Sequence, residues 1–323
     1  MQEYTIQNDY IALSVLDYGL RIKEIFLKPI QQNAVLAYAE NSEYLQEVNF
    51  LGATIGPNAN RIKDGKFSIA GTEWNWEKND GANNLHSGKY GLHLKYWHCS
   101  VIENRIHAKY FQEIPFMCEY EAVFSLNNSQ IEVEYFAVPD APALINMTNH
   151  SYFHLDAAAT VLDYQLKLAA DFYTPRTADG IPTGEIRSVA GTALDFREYK
   201  TISTMLAAAR QTGLTKEGFD HNLLVASKGF RLLASVLTSR VKLDIFSDAP
   251  GFQFYTAENL ISHGRRTPYK GLCIEPQYIP NSINCSYLKQ PVFTGAQPFH
   301  QKTVYAFEFP DTGSEHLYGT ERN

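Results

Sequence analysis

Apolar and polar positions alternate along most of this chain. Ile131, Val133 and Tyr135 alternate with Glu132 and Glu134, and Val241, Leu243 and Ile245 alternate with Lys242 and Asp244. A period of two puts successive side chains on opposite faces, so each such segment predicts a strand with one dry and one wet face. Turn-forming pairs separate the segments at short intervals, among them Asp64-Gly65, Ala70-Gly71, Asn127-Asn128, Asp179-Gly180 and Pro250-Gly251. Asn127-Asn128 predicts a hairpin joining residues 120–126 to 130–138. Only residues 201–210, with Met205, Leu206 and three consecutive alanines, read as helical, over about three turns. The pattern predicts an all-β fold in which many antiparallel strands pack as a large sandwich. No Gly/Ser linker, low-complexity tract, charge block or fixed-period repeat divides the chain. Residues 1–323 are therefore expected to form one domain, with two fused sandwiches as the alternative.

Composition narrows the partner. Twenty Tyr, nineteen Phe and three Trp in 323 residues suit pleated strands and also a pocket whose rings stack on the apolar face of a sugar. A formal net charge of −7 argues against a nucleic-acid surface, which needs clustered Lys and Arg. No apolar run approaches the roughly 20 residues of a membrane span. Residues 1–10 carry Glu3 and Asp9 without a basic, apolar leader, so a cytoplasmic protein acting on a small neutral molecule is expected, with no membrane or nucleic-acid partner. Cys99, Cys118, Cys273 and Cys285 show no C-x-x-C spacing, so neither a zinc site nor a redox dithiol is signalled. Glycosylation patterns at Asn127, Asn146, Asn149 and Asn284 include two that flank the densest motif in the chain, which fits a compartment without N-glycosylation.

That motif is Asn146-Met147-Thr148-Asn149-His150-Ser151-Tyr152-Phe153-His154-Leu155. If it is extended, His150, Tyr152 and His154 share one face while Ser151, Phe153 and Leu155 share the other. His150 and His154 also have the i, i+4 spacing of a helical metal pair, but no third ligand stands nearby in sequence and the composition favours a strand. A second cluster is Gly271-Leu272-Cys273-Ile274-Glu275-Pro276-Gln277, where Cys273 and Glu275 share a face and Pro276 is expected to end the strand. Glu275 reads either as a surface carboxylate or as a partly desolvated one with a raised pKa, suited to a general base. Asn60-Arg61, His86, Asp220 and Gln253 each follow or join turn residues, where binding groups are mounted on a rigid scaffold. Together they offer the donors and acceptors that a polyhydroxylated ligand requires.

In order along the chain stand A-N-R-I at Ala59 to Ile62, N-N-L-H-S-G ending at Gly88, T-N-H-S-Y-F at Thr148 to Phe153, F-D-H-N at Phe219 to Asn222, P-G-F-Q-F-Y-T at Pro250 to Thr256, and I-E-P-Q at Ile274 to Gln277. This series resembles the aldose 1-epimerase (galactose mutarotase) family. The resemblance implies a galactose mutarotase-like supersandwich whose concave face holds an aldose such as D-galactose or D-glucose. It also implies Glu275 as catalytic base, His150 as catalytic acid, and Asn60, Arg61, His86, Asp220 and Gln253 as sugar-binding residues. Metal and cofactor are not called for, and a monomer or homodimer is expected. The chain departs from the family pattern at Pro57-Asn58, Ser87 and His154.

The residue types suit that chemistry on their own account. Opening a hemiacetal ring needs one proton taken and one given, and a Glu/His pair does both near neutral pH. For activity to span neutrality, the His150 pKa is expected above its free value, through the charge of Glu275 or Asp220. Three other functions compete. A glycoside hydrolase would use Asp220 and Glu275 but leave His150 and His86 without roles. A non-catalytic sugar-binding or regulatory protein has no need of the Glu275 and His150 pair. A sugar-phosphate epimerase would use Arg265-Arg266 and Lys270.

Overall fold

The computed structural model describes residues 1–310 other than Glu47 and His263. A nine-stranded antiparallel sheet forms one layer. Its order is His98–Ile102, Arg105–Gln112, Cys118–Asn127, Gln130–Pro139, Phe299–Glu308, Lys242–Ser247, Arg231–Leu237, Gln165–Leu168 and Lys200–Thr201. The predicted hairpin supplies its third and fourth strands, with Asn127 paired to Gln130 and Cys118 to Pro139. Ile131, Val133, Tyr135 and Ala137 are all buried, so the alternation in the sequence translates into one dry face. Asp244, expected on a wet face, is buried instead. Ser235 stands directly opposite it in the ladder and donates its hydroxyl at 2.5 Å, and Lys242 Nζ lies at 2.7 Å, so the carboxylate remains paired.

Two smaller antiparallel sheets supply the facing layer. One runs Glu3–Gln7, Ile11–Leu16, Arg21–Leu27 and Gln32–Asn33, and the other Arg187–Ser188, Phe172–Tyr173, Asp220–Leu224, Gly251–Tyr255 and Cys273–Gln277. One continuous apolar cluster, with members from Ile6 to Phe307, lies between the layers. The all-β sandwich read from the sequence is thus the observed fold. The helix spans Ile202–Thr212 and buries Ile202, Met205, Leu206 and Ala209, the i, i+3, i+4, i+7 stripe of an amphipathic helix. Gly213, at φ +73°, ends it and donates its N–H to the carbonyls of Ala209 and Arg210. Among the described residues no helix is long and apolar enough to cross a membrane.

Pro276 does not end its strand as expected. It pairs in register with Phe252, and Gln277 pairs with Gly251 beyond it. The strand lies at the edge of the five-stranded sheet, where a missing N–H interrupts no second ladder.

Phe50 packs among three imidazoles, with ring centroids 4.7 Å from His86, 5.0 Å from His93 and 5.9 Å from His150. Burial, reinforced by the positive charge of Arg21, lowers the His93 pKa from 6.5 to about 3. The folded value lies below the unfolded one, so acidification protonates the unfolded chain first. The stability that neutral His93 carries is complete above about 6.5 and is lost as pH falls toward about 3. In His93→Gln, the unfolding free energy measured by urea titration should depend less steeply on pH between pH 6 and 4.5, by about 1.4 kcal/mol per pH unit. Equal slopes in variant and wild type would show that His93 titrates normally.

Candidate active site

The five-stranded sheet builds the floor of a cleft from three neighbouring strands. Asn222, Gln253 and Glu275 stand in one cross-strand row, and Asp220, Tyr255 and Cys273 in the next. Because side chains alternate, all six share one face, while Phe252, Phe254 and Ile274 enter the core on the other. Beside this sheet the short strand Thr148–His150 pairs with Ala53–Ile55, bringing His150 opposite Ala53. Gln301, from the nine-stranded sheet, donates to the carbonyls of Met147 (3.2 Å) and Pro276 (3.1 Å), which ties the two motif segments together from beneath.

All seven residues named from the sequence line this one cleft: Asn60, Arg61, His86, His150, Asp220, Gln253 and Glu275. His150 Nε2 lies 3.8 Å from Glu275 Oε1, and their side chains are 6% and 3% exposed. Cys273 Sγ is 3.5 Å from the other ring nitrogen, Nδ1, so Nε2 is the nitrogen turned to the carboxyl. The His150 ring also stacks on Tyr152 at 5.0 Å. Glu275 Oε2 is buried and makes no hydrogen bond.

Removal from water pushes these two groups in opposite directions. Burial, then the nearby negative charge of Asp220, raises the Glu275 pKa well above 4.5. Burial lowers His150 from 6.5 to about 4, against the pull of Asp220. The expectation of a raised His150 pKa is therefore corrected: desolvation outweighs the charge term. Burial thus favours a neutral imidazole at His150 and raises the affinity of the Glu275 carboxyl for a proton.

Arg61 Nε binds Asp80 Oδ2 at 2.7 Å while its Nη1 lies 3.7 Å from Asp220 Oδ2. Asp220 also receives Gln253 Nε2 at 2.6 Å and stands 3.6 Å from Arg176 Nη1. Burial alone would raise its pKa, but Arg176, Arg61 and the Gln253 hydrogen bond together hold it below the usual value. It therefore stays ionised beside Glu275.

His86 is fixed by two reciprocal bonds. Its Nδ1 accepts from the Asn60 backbone N–H at 3.1 Å, and its backbone N–H donates to the Asn60 carbonyl at 3.1 Å. Nδ1 is thereby an acceptor, so the ring hydrogen resides on Nε2. Burial, with His150 and His93 nearby, lowers the His86 pKa well below 6.5, keeping it a neutral donor. Phe50, Asn60, His86 and Ser87 all have φ between +51° and +66°, a region that side chains other than glycine rarely adopt. Such strain concentrates where geometry serves function.

Tyr152 faces the cleft as its alternation with His150 predicts, but His154 does not. The strand stops at His150, the chain runs on through isolated bridges of Phe153 to Val35 and to Leu272, and His154 Nδ1 meets the Lys270 carbonyl instead. Sequence reasoning missed Phe50, Asp80, Arg176 and Asn259. Tyr255 and Cys273 were recoverable, being two positions from Gln253 and Glu275 on the same strand face. Arg266, half of the basic pair weighed for phosphate, donates to the Glu258 carbonyl (2.7 Å) and Asn259 Oδ1 (3.1 Å). Among the described residues one group could offer three metal ligands, His150, Cys273 and Glu275, whose ligand atoms lie within 4.8 Å of one another. These are buried side chains from two separate segments, which no sequence spacing signals.

Residues 2–297 match the family described as Aldose 1-epimerase. The chain is 32% identical to human galactose mutarotase, over 95% of this chain and 94% of that protein. It is 31% identical to the aldose 1-epimerase of Escherichia coli strain K12, over 89% of each. The solved structure of a galactose 1-epimerase from Lactobacillus acidophilus NCFM superposes with a TM-score of 0.84 at 26% identity, over 95% of this chain and 94% of that one. An aldose epimerase homologue from C. elegans, 24% identical over 95% of this chain and 99% of that one, shares the fold with a TM-score of 0.88. By sequence along nearly its whole length, and by fold, this chain belongs to the aldose 1-epimerase family.

Proposed function

We propose that the cleft binds a free aldohexose such as D-galactose or D-glucose in its ring form and interconverts the α and β anomers, with Glu275 as base and His150 as acid. One observation supports the assignment of roles: a carboxyl and an imidazole, both buried, face each other at 3.8 Å. A C1 hydroxyl donating to Glu275 and a ring oxygen accepting from His150 Nε2–H both favour carboxylate beside imidazolium, the state from which the reaction starts. The carboxylate then takes the C1 hydroxyl proton. The C1–O5 bond breaks with its electron pair moving to O5, which takes the proton from His150, and C1 becomes an aldehyde. Rotation about C1–C2 and the reverse transfers close the ring on the other face.

The remaining groups suit the sugar's hydroxyls. Arg61 and the neutral His86 Nε2–H donate, Asp220 accepts, and Gln253 and Asn60 offer both functions. Every one of them comes from a single chain, so one copy suffices whether the protein is a monomer or a homodimer. Four free cysteines, together with burial of the glycosylation patterns at Asn146 and Asn149, support a cytoplasmic location.

In polarimetry of fresh α-D-glucose and α-D-galactose, Glu275→Gln should lose about 10²–10⁴-fold in kcat while still binding sugar. His150→Asn should lose kcat to a similar degree. Near-wild-type rates in either variant would remove that residue from the proton path. Arg61→Ala should weaken KM and also lower kcat, because its charge faces the ring where negative charge develops. A kinetically silent Arg61→Ala would place the sugar elsewhere.

A further inference from the structure

Two of this chain's departures from the family pattern, Asn58 and Ser87, meet in the structure. Arg61–Ile62 and Asn84–Leu85 form a short antiparallel ladder, Arg61 opposite Leu85, that leads directly into Asn60 and His86. There it cannot continue. Asn60, His86, Ser87 and Gly88 have φ of +63°, +51°, +66° and +51°, which turns their backbone groups out of strand geometry. The Ser87 hydroxyl takes over the pairing. It accepts the Asn58 N–H at 2.8 Å and donates to the Asn58 carbonyl at 3.1 Å, doing for one residue what an opposing peptide group does in a ladder. Ser87 is fully buried and Asn58 is 3% exposed, so solvent reaches neither bond.

Asn58 is itself anchored. It forms a parallel bridge with Asn146, whose N–H donates to the Pro57 carbonyl at 2.6 Å and whose carbonyl accepts from Ala59 N–H at 2.7 Å. Asn146 begins the motif that carries His150. The Ser87 hydroxyl thus joins the loop carrying His86 to the segment carrying His150, and it closes the turn in which Asn60 N–H reaches His86 Nδ1.

We infer that Ser87 is a positioning residue: through its paired hydrogen bonds to the Asn58 backbone it fixes the tautomer and placement of His86, and so aims the Nε2–H at the sugar. The inference rests on the sugar-binding reading of the cleft for its kinetic consequence, but not for the tautomer. A hydroxyl at this place is worth keeping despite the left-handed backbone because Asn58 would otherwise hold a buried donor and acceptor without partners.

The two simplest variants separate this from a role in backbone strain alone. Ser87→Gly removes the hydroxyl and relieves the φ constraint, whereas Ser87→Ala removes the hydroxyl and keeps the constraint. Both should lower kcat/KM for D-glucose by about tenfold or more, since misplacement of an orienting donor is costly. Their melting temperatures should nevertheless differ, with the glycine variant the more stable. In ¹⁵N NMR of the sugar-free protein, His86 should be a neutral Nε2–H tautomer in the wild type and a mixture of tautomers in both variants. Wild-type kcat/KM in Ser87→Gly, or kinetic losses that follow melting temperature, would overturn the inference. So would an unchanged His86 tautomer. A wild-type protein that fails to accelerate mutarotation but shows the tautomer shift in the variants would count against the sugar reading and leave the placement of His86 by Ser87 standing.

Discussion

Taking one carboxyl and one imidazole out of water at 3.8 Å from each other is the constraint around which the rest of the site is arranged. In solvent, a Glu and a His at neutral pH differ by more than two pKa units in the sense that ionises the carboxyl. Burial reverses the order, raising Glu275 well above 4.5 and lowering His150 to about 4. Each shift disfavours the charged form of its group, so the affinities of the two groups for a proton are drawn close together or crossed relative to water.

Keeping that pair dry, yet reachable by a sugar, accounts for much of the surrounding architecture. The five-stranded sheet turns its polar face to the cleft and its Phe252, Phe254 and Ile274 face to the core, so Glu275 is held on a rigid strand with apolar mass behind it. Phe50 presses against three imidazoles and excludes water from them. The charged groups stay paired at the rim: Asp80 takes Arg61, and Arg176 and Gln253 take Asp220. Asp220 remains negative there and so contributes to the raised affinity of Glu275 for its proton. The backbone strain at Asn60, His86 and Ser87 is the counterpart of this order, offset by hydrogen bonds that only those conformations allow.

Much of this was legible in the sequence, for physical reasons that also mark the limits. Period-two alternation reports which side chains share a face, so the hairpin at Asn127-Asn128, the pairing of Cys273 with Glu275 and the common face of His150 and Tyr152 were all readable. The motif series placed all seven proposed site residues in one cleft. What alternation cannot report is where a strand stops, and so His154 was carried too far along the face. Nor does it report which strand lies at an edge, which is why Pro276 was read as a terminator. Burial of Asp244 depended on a serine nine positions away in another strand. Asp80 and Phe50 enter the cleft, and Arg176 reaches Asp220, from loops whose approach depends on tertiary packing. The direction of the His150 shift was misjudged for a related reason: a sequence displays charges but not the dryness around them, and here dryness prevails.

The central claim is that desolvation outweighs charge at the unliganded pair and keeps the His150 imidazole neutral. It is tested most directly by ¹⁵N–¹H NMR of the His150 imidazole, assigned with His150→Asn, across pH 5.5 to 8 in the absence of sugar. A neutral ring that does not titrate over this range is the result predicted from its pKa of about 4. An imidazolium titrating at or above 6.5 would contradict it, and would mean that the charges of Glu275 and Asp220 govern the site in place of desolvation.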